Sequence, residues 1–162
     1  MKRTPLKRKT PLKRKSGLKR KKKSKLQKKK DNDNSVYWRR KADKLWGELV
    51  HRKGVCEINN DECSGRLEAH HLITRSVGWT RHNLGNSILL CSNHHKFNPW
   101  CSAHKGPLGF ARWLQDNRPD IWDWQMQNRW KNKKHNYREA YEKLKEIEEA
   151  VTASRSRNKI KG

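Results

Sequence analysis

Apolar side chains are in short supply in this sequence. Only 31% of its 162 residues are hydrophobic, 35% are charged, and there are just 2 Phe and 2 Met. A large buried core is therefore excluded, and a small domain of this make-up gains from a staple such as a metal ion. Long apolar runs are missing too, and none approaches the roughly 18 residues that a membrane span needs. The basic start is not followed by an apolar stretch, so no secretory leader is expected. Acids are scarce: 16 Asp and Glu stand against 41 Lys and Arg, for a net charge of +25. Self-repulsion of that size disfavours compaction unless a polyanion screens it. Nucleic acid is the expected polyanion, DNA in preference to RNA, with an anionic membrane surface the lesser option. Cysteine is also sparse. Cys56, Cys63, Cys91 and Cys101 would suggest two disulfides in a secreted chain. With no leader and with histidines interleaved, metal binding and a cytoplasmic location are the expectation.

The length predicts one compact domain plus a tail. Of the 41 basic residues, 17 fall in residues 1–30, which hold no acid. Leu-Lys-Arg-Lys recurs there after Pro5, Pro11 and Gly17. Such a segment cannot bury enough surface to offset its ordering entropy, so residues 1–34 are expected to be disordered. Lys7, Arg8, Lys13, Arg14, Lys19 and Arg20 would make salt-sensitive, sequence-independent phosphate contacts. From Val36 to about Arg52, Trp38, Ala42, Leu45, Trp46, Leu49 and Val50 recur at helical spacing, which predicts an N-terminal helix within residues 35–53, ended by Gly54. Val55 to Ala69 reads as a short zinc-pinned turn. Two short strands are expected, His71–Thr74 and Ser87–Leu90. A short helix follows from Cys91 to about Phe97, where Pro99 restrains Asn98. The helical region, residues 106–155, holds predicted helices over Leu108–Gln115, Pro119–Trp130 and Tyr137–Ser154. Residues 156–162 form a basic tail. Most of the eight tryptophans are expected in the core, with one or two free to stack on bases.

The residues able to do chemistry cluster between these elements. Cys56 and Cys63 precede a histidine pair, and Cys91 and His94 follow the second strand. Together they make a Cys3His set of the kind structural zinc takes. Cys101 and His104 have the same spacing and could replace or supplement the later pair. Neighbours in extended chain point to opposite faces, so His70 and His71 should have different jobs. One can face a metal while the other faces a water, and His95, near the start of the next helix, can reach the same metal. The Asn86 amide can bridge backbone groups and hold the loop between the strands. A divalent metal and an activated water are what phosphodiester cleavage needs.

His70-His71, Asn86 and His95 resemble the signature of the HNH endonucleases, in the wider ββα-metal (His-Me finger) group. Leu89-Leu90-Cys91 leading into the helix and the flanking cysteine knuckle carry the same resemblance, which covers roughly residues 54–98. The basic tail, Thr80-Arg81 and the later helices are similar to NinG-like phage recombination proteins. The resemblance implies an α+β fold: a small zinc-stabilised ββα-metal core over residues 54–105, flanked by helices, with the basic tail ahead of it. It implies that His71 is the general base, His70 and His95 hold one catalytic divalent cation, and Asn86 orients the loop. Asn83 is a rival for that last role but lies three residues too far from Cys91. Cys56, Cys63, Cys91 and His94 would hold one structural zinc. Two departures stand out: six residues separate Cys56 from Cys63 where two is usual, and His94 replaces the common fourth cysteine. Members cut DNA with Mg2+, Mn2+ or a transition metal, and two imidazoles favour Mn2+ or Ni2+. Arg75 or Arg81 would stabilise charge on phosphorus or simply contact phosphate. The setting implied is DNA recombination or processing in a bacterial or phage-infected cell. A zinc-stabilised nucleic-acid-binding module without chemistry is the alternative expectation, and a nucleic-acid-condensing assembly protein a third.

Overall fold

The computed structural model describes residues 23–160, with side chains as far as residue 154. Two antiparallel strands stand at its centre, β1 (Leu67–His71) and β2 (Ser87–Cys91). Their register pairs Leu67 with Cys91, Ala69 with Leu89 and His71 with Ser87. Every residue of β2 is buried, because helices cover both faces of the sheet. A strand buried on both faces needs no polar alternation, which is why Ile88-Leu89-Leu90 is an unbroken apolar run.

The helices are α1 (Lys25–Asp31), α2 (Val36–His51), α3 (Pro107–Asn117), α4 (Pro119–Asn128) and α5 (Tyr137–Ile160). On one face of the sheet, Ala69 and Leu89 pack against Ala42, Leu45, Trp46 and Leu49 of α2. Helix α5 joins the same cluster through Tyr141 and Leu144, and Arg52 meets Glu148 at 3.0 Å. On the other face, Ile88 and Leu90 pack against Phe110 and Leu114 of α3 and Ile121 of α4. The two layers are possible because successive strand residues point to opposite sides. The outer edge of β2 is covered by Glu57. Its N–H donates to the Leu89 carbonyl at 2.9 Å, and its carboxylate accepts from the Leu89 N–H at 2.8 Å. Lys53 and Arg118 hold that carboxylate in turn.

Three expectations need correction. The first strand lies four residues earlier than predicted and ends at His71. Beyond it the chain leaves the sheet, because Ile73 bonds the Asn86 side chain through both its N–H and its carbonyl. Part of the segment expected to be disordered is helical: Ser24 caps α1 by accepting from the Gln27 N–H at 3.1 Å. The end of α1 is tied to α2 by Trp38, whose Nε1–H donates to the Lys30 carbonyl at 3.0 Å. Lys7, Arg8, Lys13, Arg14, Lys19 and Arg20 lie outside the described residues. Helix α5 also continues past Ser154 into the expected basic tail. Of the tryptophans, Trp46 is buried, while Trp100 and Trp130 are 79% and 83% exposed. Among the described residues no helix is long and apolar enough to cross a membrane.

The start of α3 is a close fit. A Cβ on Gly109 would run into the Trp100 carbonyl oxygen, whereas a Cβ on Gly47, inside α2, meets open space. Gly109→Ala should therefore lower the urea midpoint, and Gly47→Ala should raise stability by about 0.5–1 kcal/mol through helix propensity. Equal midpoints for the two variants would contradict this packing.

Candidate metal centres

The knuckle between α2 and β1 is shaped by backbone requirements. Gly54 (φ 77°) follows α2 and donates its N–H to the His51 carbonyl at 3.0 Å. Gly65 (φ 80°) lies so near Ser92 that a Cβ there would come within 2.8 Å of the Ser92 Cβ. That close approach lets Ser92 and Asn93 donate their N–H groups to Arg66 and Ser64 at 2.8 and 3.2 Å. The knuckle thereby docks on the wide helical turn Asn93–Phe97, where the Asn98 N–H reaches back to the Asn93 carbonyl at 2.9 Å. This turn stands where a short helix is expected.

Docking brings Cys56, Cys63, Cys91 and His94 together, with their ligand atoms within 4.8 Å of one another. The three sulfurs lie 3.6, 3.5 and 3.3 Å from His94 Nδ1. A tetrahedral ion with Zn–S of ~2.3 Å and Zn–N of ~2.0–2.1 Å sets that separation at about 3.6 Å. The set can hold a structural metal such as zinc. Burial first, then the Cys56 and Cys91 thiols, push Cys63 up to about 11, so loading a dication there would release protons. Cys101 stands outside this group, half-buried against the α3 core.

A second group forms on the other side of the same turn. His70 Nδ1 lies 3.0 Å from His95 Nε2, and His104 Nε2 lies 3.2 Å from it. Nitrogens bound at ~2.0–2.1 Å to one cation would stand about 2.9–3.4 Å apart, so the three imidazoles also fit a metal. His104 arrives here because the Ala103 and His104 N–H groups donate to the His94 and His95 carbonyls at 3.0 and 3.2 Å. It is therefore a partner of His70 and His95 and not an alternative ligand of the cysteine set. The other ring nitrogen of His95 is 2.5 Å from Glu68 Oε2. Lys96, His95 and Arg66 hold the Glu68 carboxyl far below the ordinary carboxylate range. A carboxylate behind a ligand histidine fixes its tautomer and ring angle. Burial, with His95 and His104 nearby, pushes His70 down to about 3. That keeps its imidazole neutral, the form that binds metal.

His71 faces the opposite side of β1. Its ring stacks on Trp46 at 3.7 Å between centroids and 15° between planes. Trp46 is itself held by an Nε1–H bond to the Asn83 carbonyl at 3.2 Å. His71 Nε2 is 2.8 Å from the Arg81 carbonyl, so Nε2 carries the proton and Nδ1 is left as an acceptor. Burial pushes His71 down to about 4 against the opposing pull of that carbonyl. The loop bearing Arg81 is stitched by Asn86, which is fully buried. Its Oδ1 accepts from Ile73 N–H at 2.6 Å, and its Nδ2 donates to the Ile73 and Thr80 carbonyls at 3.0 and 3.1 Å. Asn83 instead caps the turn before β2, accepting from the Gly85 N–H at 2.8 Å. The Arg81 guanidinium is taken up by both oxygens of Asp43, at 2.7 and 2.8 Å. Arg75 is exposed and lines the same hollow of about 650 Å³ as His70, His71, His95 and His104.

No protein family, curated protein or solved structure matches this chain. Sequence reasoning did not single out Glu68, Asp43 or Trp46. Glu68 was within reach, since it shares a strand face with His70 two residues on. Nothing in the sequence links Asp43 or Trp46 of α2 to the Arg81 loop.

Two outcomes are expected. The unfolded chain binds protons near the ordinary histidine value of 6.5, while folded His70, His71 and His135 refuse them down to about 3, 4 and 4. Their contribution to stability is complete above 6.5 and is lost as pH falls from there towards 4. The urea midpoint should drop between about pH 7.5 and about pH 5, and a midpoint independent of pH over that window would refute the assignment. Separately, Glu68→Ala should weaken Mn2+ binding about 10- to 100-fold in calorimetric titration of the zinc-loaded chain.

Proposed function

We propose that this chain is a metal-dependent endonuclease of the HNH type, hydrolysing DNA phosphodiester bonds in recombination or DNA processing in a bacterial or phage-infected cell. The reading takes residues 54–105 as a ββα-metal core. One observation carries it: the three-imidazole cluster of His70, His95 and His104 shares a hollow with a fourth imidazole, His71, whose Nε2 is committed to a carbonyl. A divalent cation held by His70, His95 and His104 would supply Lewis-acid polarisation of the phosphate oxygens.

The chain's own residues account for the rest. His71 Nδ1 takes a proton from a water, whose oxygen attacks phosphorus. The bond to the 3′ oxygen breaks, that oxygen takes a proton from solvent and leaves as a 3′-hydroxyl, and the product keeps a 5′-phosphate. Burial holds His71 neutral near pH 7, as a base must be. Arg81 acts through its carbonyl, which fixes the His71 tautomer, and its side chain is spent on Asp43. Arg75 offers its guanidinium to phosphate. The surplus of Lys and Arg supports a polyanionic substrate. A non-catalytic zinc-stabilised binding module would account for the charge and the cysteine set, but it leaves the second imidazole cluster and the tautomer-locked His71 without a use.

Plasmid nicking with Mg2+, Mn2+ or Ni2+ tests the reading. The wild-type chain should nick, and EDTA should stop it. His71→Ala should bind DNA unchanged and cut at least about 100-fold more slowly. Full-rate cutting by that variant, or no cutting with any of the ions, would sink the proposal.

A further inference from the structure

A pocket of about 400 Å³ between Trp79–Leu84 and the start of α5 has no part in the proposed chemistry. That volume is in the roughly 300–1,000 Å³ range of small-ligand sites. Trp79, His82, His135, Lys133, Lys134 and Lys143 line it. Among the described residues Glu139 is the one acid on its lining, and it is paired with Lys143 at 2.7 Å. The walls are flat. The His82 and His135 rings stack at 5.5 Å, and Lys133 Nζ sits 5.0 Å over the Trp79 ring. His82 Nε2 lies 2.8 Å from Asp43 Oδ1, and among the described residues neither His82 Nδ1 nor His135 Nε2 has a hydrogen-bond partner. Buried polar atoms without partners ask for an explanation.

Trp79, Lys133 and His135 also border a second hollow of about 310 Å³, lined by Arg129, Trp130 and Lys131 and, among the described residues, by no acid. Trp130 is 83% exposed, and the Arg129 guanidinium lies 4.8 Å from its ring centre. Aromatic faces interleaved with cations are how proteins hold single strands: bases stack, and phosphates meet Lys and Arg.

We propose that the pocket beside Trp79 takes one unpaired DNA base, stacked on the Trp79 and His135 rings, with the flanking phosphates on Lys131, Lys133 and Lys134. This deepens the nuclease reading and rests on DNA being the substrate. A base inside a duplex stack cannot enter such a pocket, so the site selects DNA that is locally single-stranded. The pocket also connects to the proposed base. Asp43 holds both His82 and Arg81, and the Arg81 carbonyl holds His71.

The test uses the full, zinc-loaded chain with no other divalent cation. The probes are a blunt duplex and the same duplex with a short single-stranded tail carrying 5-iodouracil. The tailed DNA should bind about tenfold tighter, a factor that stacking of a single base can supply. Ultraviolet crosslinking followed by mass spectrometry should identify Trp79 or His135. Lys133→Glu with Lys134→Glu, both exposed positions, should weaken tailed binding about tenfold more than blunt binding and remove the crosslink. Equal affinity for the two probes, or crosslinks confined to other residues, would overturn the proposal. Its failure is distinguishable from that of the nuclease reading. Tail preference with the Trp79 crosslink but no cutting by Mn2+ defeats only the nuclease; cutting without either signal defeats only the pocket.

Discussion

A two-stranded antiparallel pair is marginal in water by itself. Here β1 and β2 are clamped at the Leu67–Cys91 end by the convergence of Cys56, Cys63, Cys91 and His94. Three of those four residues lie outside the strands, so a metal ion bound there would tie the knuckle, β2 and the turn Asn93–Phe97 into one body. The glycine at 65 permits the approach, and Glu57 closes the free edge of β2. The main-chain bonds of Ser92 and Asn93 to Arg66 and Ser64 seat the turn that carries His94 and His95 beside this set.

Strand alternation then divides the labour between adjacent histidines. His70 shares its face with Glu68 and looks toward His95 and His104, while His71 turns to Trp46 on α2. Both still border one hollow, because His71 is the last residue of β1 and the chain turns away immediately after it. Asn86 enforces that turn from within the protein. Loss of its amide would leave the Ile73 N–H and the Ile73 and Thr80 carbonyls short of a partner, each at about 1–3 kcal/mol.

Much of the site was legible because its residues are close in sequence and belong to types with few other uses. The histidine pair, the asparagine after it and the cysteines interleaved with histidines stand out by residue type and spacing, while the choice between Cys91/His94 and Cys101/His104 stayed open. The helices after Gly106 were legible from apolar periodicity. Strand boundaries were not, because Leu67–His71 is half-buried throughout and carries no clear alternation. The α1 helix was hidden in a lysine-rich segment that owes its order to docking on Trp38 and Ser35 of the following segment.

The sequence alone determined the chemistry available: thiolates and imidazoles in metal-ligand numbers, a large basic excess and too few apolar residues for a core without help. Side-chain type and local spacing are enough for that. Only the tertiary structure decided which ligands belong together. His104 joins His70 and His95 because main-chain bonds fold residues 101–106 back on the turn at His94 and His95. The Arg81 side chain, one of two expected to meet phosphate, pairs with Asp43, 38 residues away. Such pairings depend on how helices pack across a sheet, a long-range outcome that no local pattern encodes.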